Sequence, residues 1–377
     1  MSGRFLSSGR RRSFFFHTLA RWLPKPKHHH DAMQPSRAER ILVLAPVHRG
    51  DYLILSPLLH ALSKEMPRTR IAVMVKPAGY ELALVDPNVD KVFLWNKITT
   101  WPRTLYQIKK YKADVVMMPK GHPSVTELLV MLLSGAPLRI ALSHPQHDRF
   151  LTHPIPHDWD NEHRSVAFVR MMQPFGVDPT SISRRLRIGT TPEAEEWADG
   201  HLTKQEHEHS CLALNVSALS ESRVWTLQGW RAFIREMVSI EPNVRFVALG
   251  MPSDQSLLRS LEEEFEQVRY QPTPGMLEAT ALIARCDALI TVDTGIVQAA
   301  AARGVPMVVL YNGDHEVYTR FGPQSVPHRA VLAERGHPVA AIQASEVLHE
   351  TVHLLVERKL GNWIIRPRSA SNSAVIR

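Results

Sequence analysis

Short, unbroken apolar runs alternate along this chain with segments whose apolar residues return every three or four positions. Residues 41–45 and 71–75 are runs of the first kind, and 91–94, 113–118 and 138–142 are mostly apolar runs carrying one charged residue each. They are too short for buried helices and lack the in–out alternation of a half-exposed strand, so they predict parallel strands covered on both faces. Between them, Leu53, Leu55, Leu58, Leu59 and Leu62 mark an amphipathic helix, and residues 125–133 mark another. Residues 143–161 break the rhythm with Pro145, Pro154 and Pro156 and predict a connecting loop. A helix over 162–175 follows, and polar residues 190–209 read as a linker.

A second series then starts. It has strands at 211–215, 244–249, 288–292 and 305–310, and helices at 227–238, 256–265, 276–284 and 294–302. An amphipathic helix at 344–358 closes it. Strand–helix alternation in two halves predicts an α/β fold of two Rossmann-like, doubly wound parallel sheets with right-handed crossovers, facing each other across a cleft. The expected domains are 40–180 and 181–345, with residues 346–377 packing back near the first. In open parallel sheets, ligands lie beyond the carboxyl ends of the strands. The turns at those ends are therefore where chemistry is sought.

Composition narrows the partners. The net charge is +8, but residues 1–40 hold nine Lys and Arg against two acids, so seven of the eight charges sit there. The remainder is near neutral, which gives no reason to expect nucleic-acid binding by the body of the chain. The basic segment carries Phe5, Leu6, Phe14, Phe15, Phe16, Leu19, Trp22 and Leu23. It matches a signal peptide poorly. It reads either as a basic, flexible leader (1–39) or as a contact between residues 1–36 and an inner-membrane surface. Two cysteines, Cys211 and Cys286, in apolar contexts read as buried free thiols in a reducing compartment. At His28-His29-His30 and at the pair His207 and His209 no metal site is expected.

Three turns carry candidate chemistry. After the first strand, Gly50 allows close approach and Asp51 opens a helix, as an N-cap or as a general base. After residues 211–215, hydroxyls at Ser217, Ser220 and Ser222 precede Arg223, a guanidinium able to fork onto a diphosphate or to pair with a nearby acid. After residues 288–292, Asp293-Thr294-Gly295 starts an alanine-rich helix, with Gln298 one turn on; a helix start of this kind can hold phosphate through backbone N–H groups. His48, Arg49, Lys76 and Lys120 follow the first, second and fourth strands and would make one basic rim suited to an anionic acceptor. No dinucleotide or P-loop glycine motif is present. Asp158-Trp159-Asp160 has the spacing of a metal-binding D-x-D motif but lies in a loop, away from a strand end.

Taken together, these turns resemble glycosyltransferase family 9, the lipopolysaccharide heptosyltransferases. His48-Arg-Gly-Asp51 resembles the family's G-D start. Asp114-Val-Val-Met-Met-Pro-Lys120 and Leu133-Ser-Gly-Ala-Pro-Leu-Arg-Ile140 resemble its mid-domain segments. Glu162-His-Arg, Ser222-Arg-Val-Trp225, Val292-Asp-Thr-Gly295, Arg303-Gly-Val-Pro306 and Phe321-Gly-Pro323 complete the match, from about residue 40 to 360. The resemblance implies a GT-B fold, a nucleotide-diphosphate sugar donor such as ADP-heptose, and a metal-independent inverting transfer to an anionic glycolipid or glycan at the cytoplasmic face of the inner membrane. It implies Asp51 as the catalytic base, Arg223 in the place of the family's usual Lys, and Ser217, Asp293, Thr294, Gly295 and Gln298 at the diphosphate. No cofactor is implied. Gln298 stands where the family usually has His, and Asn215-Val-Ser replaces its usual N-P-G. Two other readings keep the fold: transfer from another sugar nucleotide, or a non-catalytic binding protein in envelope assembly.

Overall fold

The computed structural model describes residues 34–45, 48–96, 100–122 and 124–358. The expectations for the basic N-terminal segment, residues 1–39 and 1–36, fall largely on residues 1–33, which lie outside the described residues. Among the described residues, no helix is long and apolar enough to cross a membrane.

The chain divides into two compact units. The first runs to Ala194 and adds Gly295–Gly304 and Asp314–Val326; the second holds Glu195–Thr294, Val305–Gly313 and the residues from Pro327 on. The first unit is built on β1 (Arg40–Leu44), β2 (Arg70–Val75), β3 (Lys91–Leu94), β4 (Val115–Met118), β5 (Leu138–Leu142) and β6 (His153–Ile155). These form one sheet in the order β3-β2-β1-β4-β5-β6, every pair parallel. Its helices are α1 (Arg49–Glu65), α2 (Pro77–Leu84), α3 (Trp101–Tyr111), α4 (Val125–Leu133) and α5 (Arg164–Arg170). Leu42, Leu44, Met74, Phe93, Val116 and Met118 cover one sheet face and pack with Ile108 of α3 and Val130 and Met131 of α4. Ile41, Val43, Ile71 and Val73, on the other face, are equally buried. Burial on both faces is what the unbroken apolar runs required.

The next elements, those of the second unit apart from α11 and α12, begin with α6 (Pro192–Gly200), α7 (Lys204–Glu208), β7 (Cys211–Asn215), α8 (Leu227–Ile240) and β8 (Arg245–Leu249). They continue with α9 (Gln255–Glu264), β9 (Val268–Tyr270), α10 (Met276–Ile283) and β10 (Ala288–Val292). After α11 (Gly295–Arg303) come β11 (Met307–Tyr311), α12 (His315–Phe321), β12 (His328–Leu332) and α13 (Ala344–Arg358). The sheet order is β12-β11-β10-β7-β8-β9, again all parallel. Read from β7, this is the same doubly wound order as in the first unit. Trp225, Trp230, Phe233, Met237, Phe246 and Leu355 dominate its core. The fold class is thus the expected one, α/β with two doubly wound parallel sheets.

Several boundaries differ from expectation. Residues 153–155, read as loop, form β6, and β9 and β12 were also missed. All three are edge strands; a proline inside β6 and the polar, half-buried His328 and Arg329 in β12 remove the continuous apolar signal. The linker at 190–209 is helical instead. Ala194 and Ala198 are fully buried one turn apart, and Thr203 with Glu206 forms a capping box at the start of α7. The helix expected over 162–175 ends at Arg170 and is followed by a single 3-10 turn, Gln173–Phe175. Helix α13 packs on α8, β11 and β12 and belongs to the second unit. Val347, Leu354 and Leu355 give it an apolar stripe that this core buries. Conversely α11 and α12, placed by sequence order in the second half, belong to the first unit, where α11 packs on α1. Cys211 and Cys286 are free and buried, with sulfurs 3.7 Å apart.

Trp225 is fully buried, donates its indole N–H to the Ile342 carbonyl at 3.0 Å and meets Trp230 edge-on. Trp225→Ala is expected to cost about 3–5 kcal/mol of the second unit's stability, read from urea unfolding.

Candidate functional site

In a doubly wound sheet the connections leave in opposite directions from two central strands, and a crevice opens at their carboxyl ends. In the first unit these strands are β1 and β4. A pocket of about 180 Å³ lies there, lined by His48 and Asp51 after β1 and by Pro119, Lys120 and His122 after β4. Trp159 closes it from the segment leading into α5, Arg164 and Phe168 from α5 itself, and Phe321 from the end of α12.

Asp51 is the third residue of α1, whose N-cap is His48; it is not itself the N-cap. Its pKa is raised above the ordinary carboxylate value because the pocket walls exclude water. The charges of His48, Arg164 and Lys120 and a hydrogen bond from the His48 backbone oppose that rise. Lys120 is itself tied to the buried Glu127 at 3.2 Å. The arrangement provides a partly desolvated carboxylate facing several cations, the environment a general base needs.

Arg164 is only 2% exposed. Its guanidinium lies 3.2 Å from the centre of the Trp159 ring and 5.3 Å from that of Phe321, and Nη1 donates to the Trp159 carbonyl. Burial lowers its pKa to about 10, which leaves it charged. Trp159 is held from behind: a methyl group on Gly121 would come within 2.1 Å of its ring and 2.4 Å of His157 Nε2. Asp158 accepts from the amides of Asp160 and Asn161 and from the Asn161 side chain, so this carboxylate closes a turn that presents Trp159.

Phe321 is positioned by two buried donors. His163 Nε2 reaches the Gly322 carbonyl at 3.0 Å while Nδ1 accepts from the Ser165 amide; burial lowers this imidazole's pKa to about 4, so it is neutral. Gln298 Nε2 donates to the Phe321 carbonyl at 2.9 Å. Gln298, expected at a phosphate, is therefore 5% exposed and committed to α12, with its Oε1 3.0 Å from where a methyl on Gly50 would stand. Arg49 is exposed in the first turn of α1, and Lys76 caps α2 at the end of β2, on the same sheet edge but outside the pocket lining.

In the second unit the central strands are β7 and β10. Arg223, after β7, pairs with Asp293, after β10, at 3.1 Å and reaches its carbonyl at 3.4 Å. Asn215 Nδ2 donates to Thr291 at 2.9 Å and to Thr294 at 3.3 Å. Both links cross that unit's switch point. Asp293, read from the sequence as a helix cap, is a partner of Arg223. The Ser217 hydroxyl donates to Asp254 and accepts from the Met251 amide at 2.6 Å, bracing the loops after β7 and β8. Ser220 and Ser222 bond to each other, and Ser222 also to Asn312.

Of the residues singled out from the sequence, His48, Asp51 and Lys120 line this one pocket; His122, Trp159, Arg164, Phe168 and Phe321, which also line it, were not singled out. Three of these lay inside quoted motifs. Trp159 is the middle residue of the D-x-D match, Arg164 follows His163, and Phe321 opens Phe321-Gly-Pro323.

Arg164→Gln removes a positive charge facing Asp51 and is expected to move the Asp51 titration to higher pH, followed by NMR of its carboxyl carbon. Arg164→Lys keeps the charge and should shift it less. An unmoved titration in Arg164→Gln would refute this electrostatic account.

Residues 149–346 match the model of glycosyltransferase family 9 (heptosyltransferase). Among solved structures, the chain is similar to a glycosyl transferase family 9 protein from Veillonella parvula. That match has 20% identity and a TM-score of 0.74 over 86% of this chain and 99% of that one. It is also similar to E. coli ADP-heptose lps heptosyltransferase II, with 18% identity and a TM-score of 0.70 over 85% and 99% of the two chains. For E. coli heptosyltransferase WaaC with ADP the values are 16% and 0.63, over 85% and 98%. No curated protein matches the chain by sequence.

Proposed function

The chain belongs to glycosyltransferase family 9 (heptosyltransferase), and from that premise we propose that it transfers a heptose from ADP-heptose, with inversion and without a metal, to an anionic glycolipid or glycan of the cell envelope. The observation that carries this reading is the contrast between the two switch points. One holds a desolvated carboxylate among cations and aromatic rings, and the other a guanidinium beside a phosphate-type turn.

Asp51 removes the proton from the acceptor hydroxyl as that oxygen bonds to the anomeric carbon and the bond to the diphosphate breaks. His48, Arg49, Lys76, Lys120 and Arg164 favour an anionic acceptor, and Trp159 and Phe321 offer flat apolar faces to a sugar ring. Arg223 meets the charge growing on the leaving diphosphate, and Asp293 orients the guanidinium through one nitrogen. Thr294 and Gly295 offer the turn at the start of α11. ADP is favoured because similar heptosyltransferase structures hold ADP and an ADP-2-deoxy-2-fluoro heptose. The non-catalytic reading rested on Gln298, and that amide has a structural task.

Asp51→Ala is expected to lower kcat about 10²–10⁴-fold and Arg223→Ala about 10²–10³-fold, with Arg223→Lys partly restoring it; single-turnover assays measure both. Because Asp51 must be ionised, kcat/KM should fall toward acid, with its limb above the ordinary carboxylate range. Full rates in both alanine variants would sink the assignment. In a thermal-shift series ADP should raise the melting temperature more than UDP or GDP, reaching about 2.7 kcal/mol of stabilisation at a hundredfold excess over Kd. Equal shifts would reject the adenine preference.

A further inference from the structure

His349-Glu350-Thr351-Val352-His353 has the H-E-x-x-H spacing, which on a helix sets two imidazoles one turn apart on one side. The motif lies in the middle of α13, where the helix is firmly held. Val347, Leu354 and Leu355 are buried in the second unit's core, and half-buried Leu348 and Val352 pack against it. The fully buried Thr351 donates its hydroxyl to the Val347 carbonyl at 2.7 Å. His349 and His353 are exposed, on the side away from that core. Their ring centroids lie 4.4 Å apart, with the planes tilted by 47°. Two imidazoles this close on a fixed backbone can each turn one nitrogen to a shared cation without moving the main chain.

The surroundings of His349 suit that task. Its Nδ1 lies 3.3 Å from Glu350 Oε1. A carboxylate accepts, so the proton sits on Nδ1 and the lone pair on Nε2, the tautomer of a metal-binding imidazole whose other nitrogen is held by a carboxylate. Glu350 is placed in turn by Arg329 of β12, whose Nε lies 3.7 Å from it and whose Nη2 meets Glu357. A groove of about 440 Å³ runs beside His349, between α13 and the edge strand β12. Its charged lining is Glu346 and Glu350, with no Lys or Arg, which favours a cation.

We infer that His349 and His353 together hold a divalent transition-metal ion of the zinc class. Imidazole nitrogen suits zinc, copper and nickel, whereas magnesium and calcium take oxygen ligands. Among the described residues no group of three or more His, Cys, Asp or Glu is arranged to hold a metal. The pair therefore supplies two ligands, and water completes the coordination. In a metalloprotease the carboxylate of this motif is the general base. Glu350 is engaged by His349 and Arg329, so the site binds and does not hydrolyse. The inference goes beyond the transfer reaction, shares no residue with it and does not depend on it.

The test is titration calorimetry of the full chain with ZnCl₂, with MgCl₂ as the contrast. The chain has other histidines, among them His28-His29-His30, and every variant shares them, so differences between variants report on α13 alone. The double variant His349→Gln, His353→Gln should lose one zinc site from the parent's isotherm. Each single substitution should lose the same site, because a chelate needs both rings. Glu350→Gln should weaken it about tenfold or more. In NMR of the parent, zinc should move the ring resonances of His349 and His353, and magnesium should not. Both imidazoles are exposed, and an unchanged melting temperature without metal checks the fold of the variants. Zinc binding by the double variant with the parent's stoichiometry and affinity overturns the inference. So does an equal response of the two rings to magnesium, which would assign the groove to its carboxylates.

Discussion

Parallel pairing is the constraint from which the rest follows. A parallel strand must be followed by a crossover, and the crossovers here cover both faces of each sheet, so the strands have no side left for polar work. Chemistry is confined to the carboxyl edge, and within that edge to the place where neighbouring crossovers part. In the first unit that place falls between β1 and β4, in the second between β7 and β10. Asp51, Lys120 and His122 in one, and Arg223, Asp293, Asn215 and Thr294 in the other, are there for this topological reason.

Within the first pocket two opposed effects set the character of Asp51. Aromatic walls remove water and disfavour its charge; His48, Lys120 and Arg164 restore it. Neither alone makes a useful base. An exposed carboxylate is too weak a base, and one buried without cations would hold its proton. Arg164 fits this role because its planar cation can stack on Trp159 and remain charged where an ammonium would be poorly solvated. The aromatic wall and the countercharge are thus one construction.

The central strands were legible because burial on two faces leaves an unbroken apolar run, as in 41–45 and 288–292. The edge strands β6, β9 and β12 carry no such run and went unread. Asp51 and Arg223 were legible as polar residues just past strand ends. Trp159, Phe168 and Phe321 were not, since an aromatic side chain in a sequence does not say whether it faces a core or a cavity. Nor could sequence order place α11 and α12, because their unit is decided by packing, with α11 against α1.

Gln298 has neighbours in space that its neighbours in the chain do not announce. One turn beyond Thr294, it was expected to face a phosphate, and the loss of a histidine's charge looked like a loss of function. Its donor instead meets the Phe321 carbonyl, and His163 meets the next carbonyl, Gly322, as a neutral imidazole. Holding a carbonyl needs an N–H and no charge, which an amide supplies as well as an imidazole. The two donors fix Phe321 as a wall of the Asp51 pocket. The residue at 298 therefore acts on that pocket through Phe321.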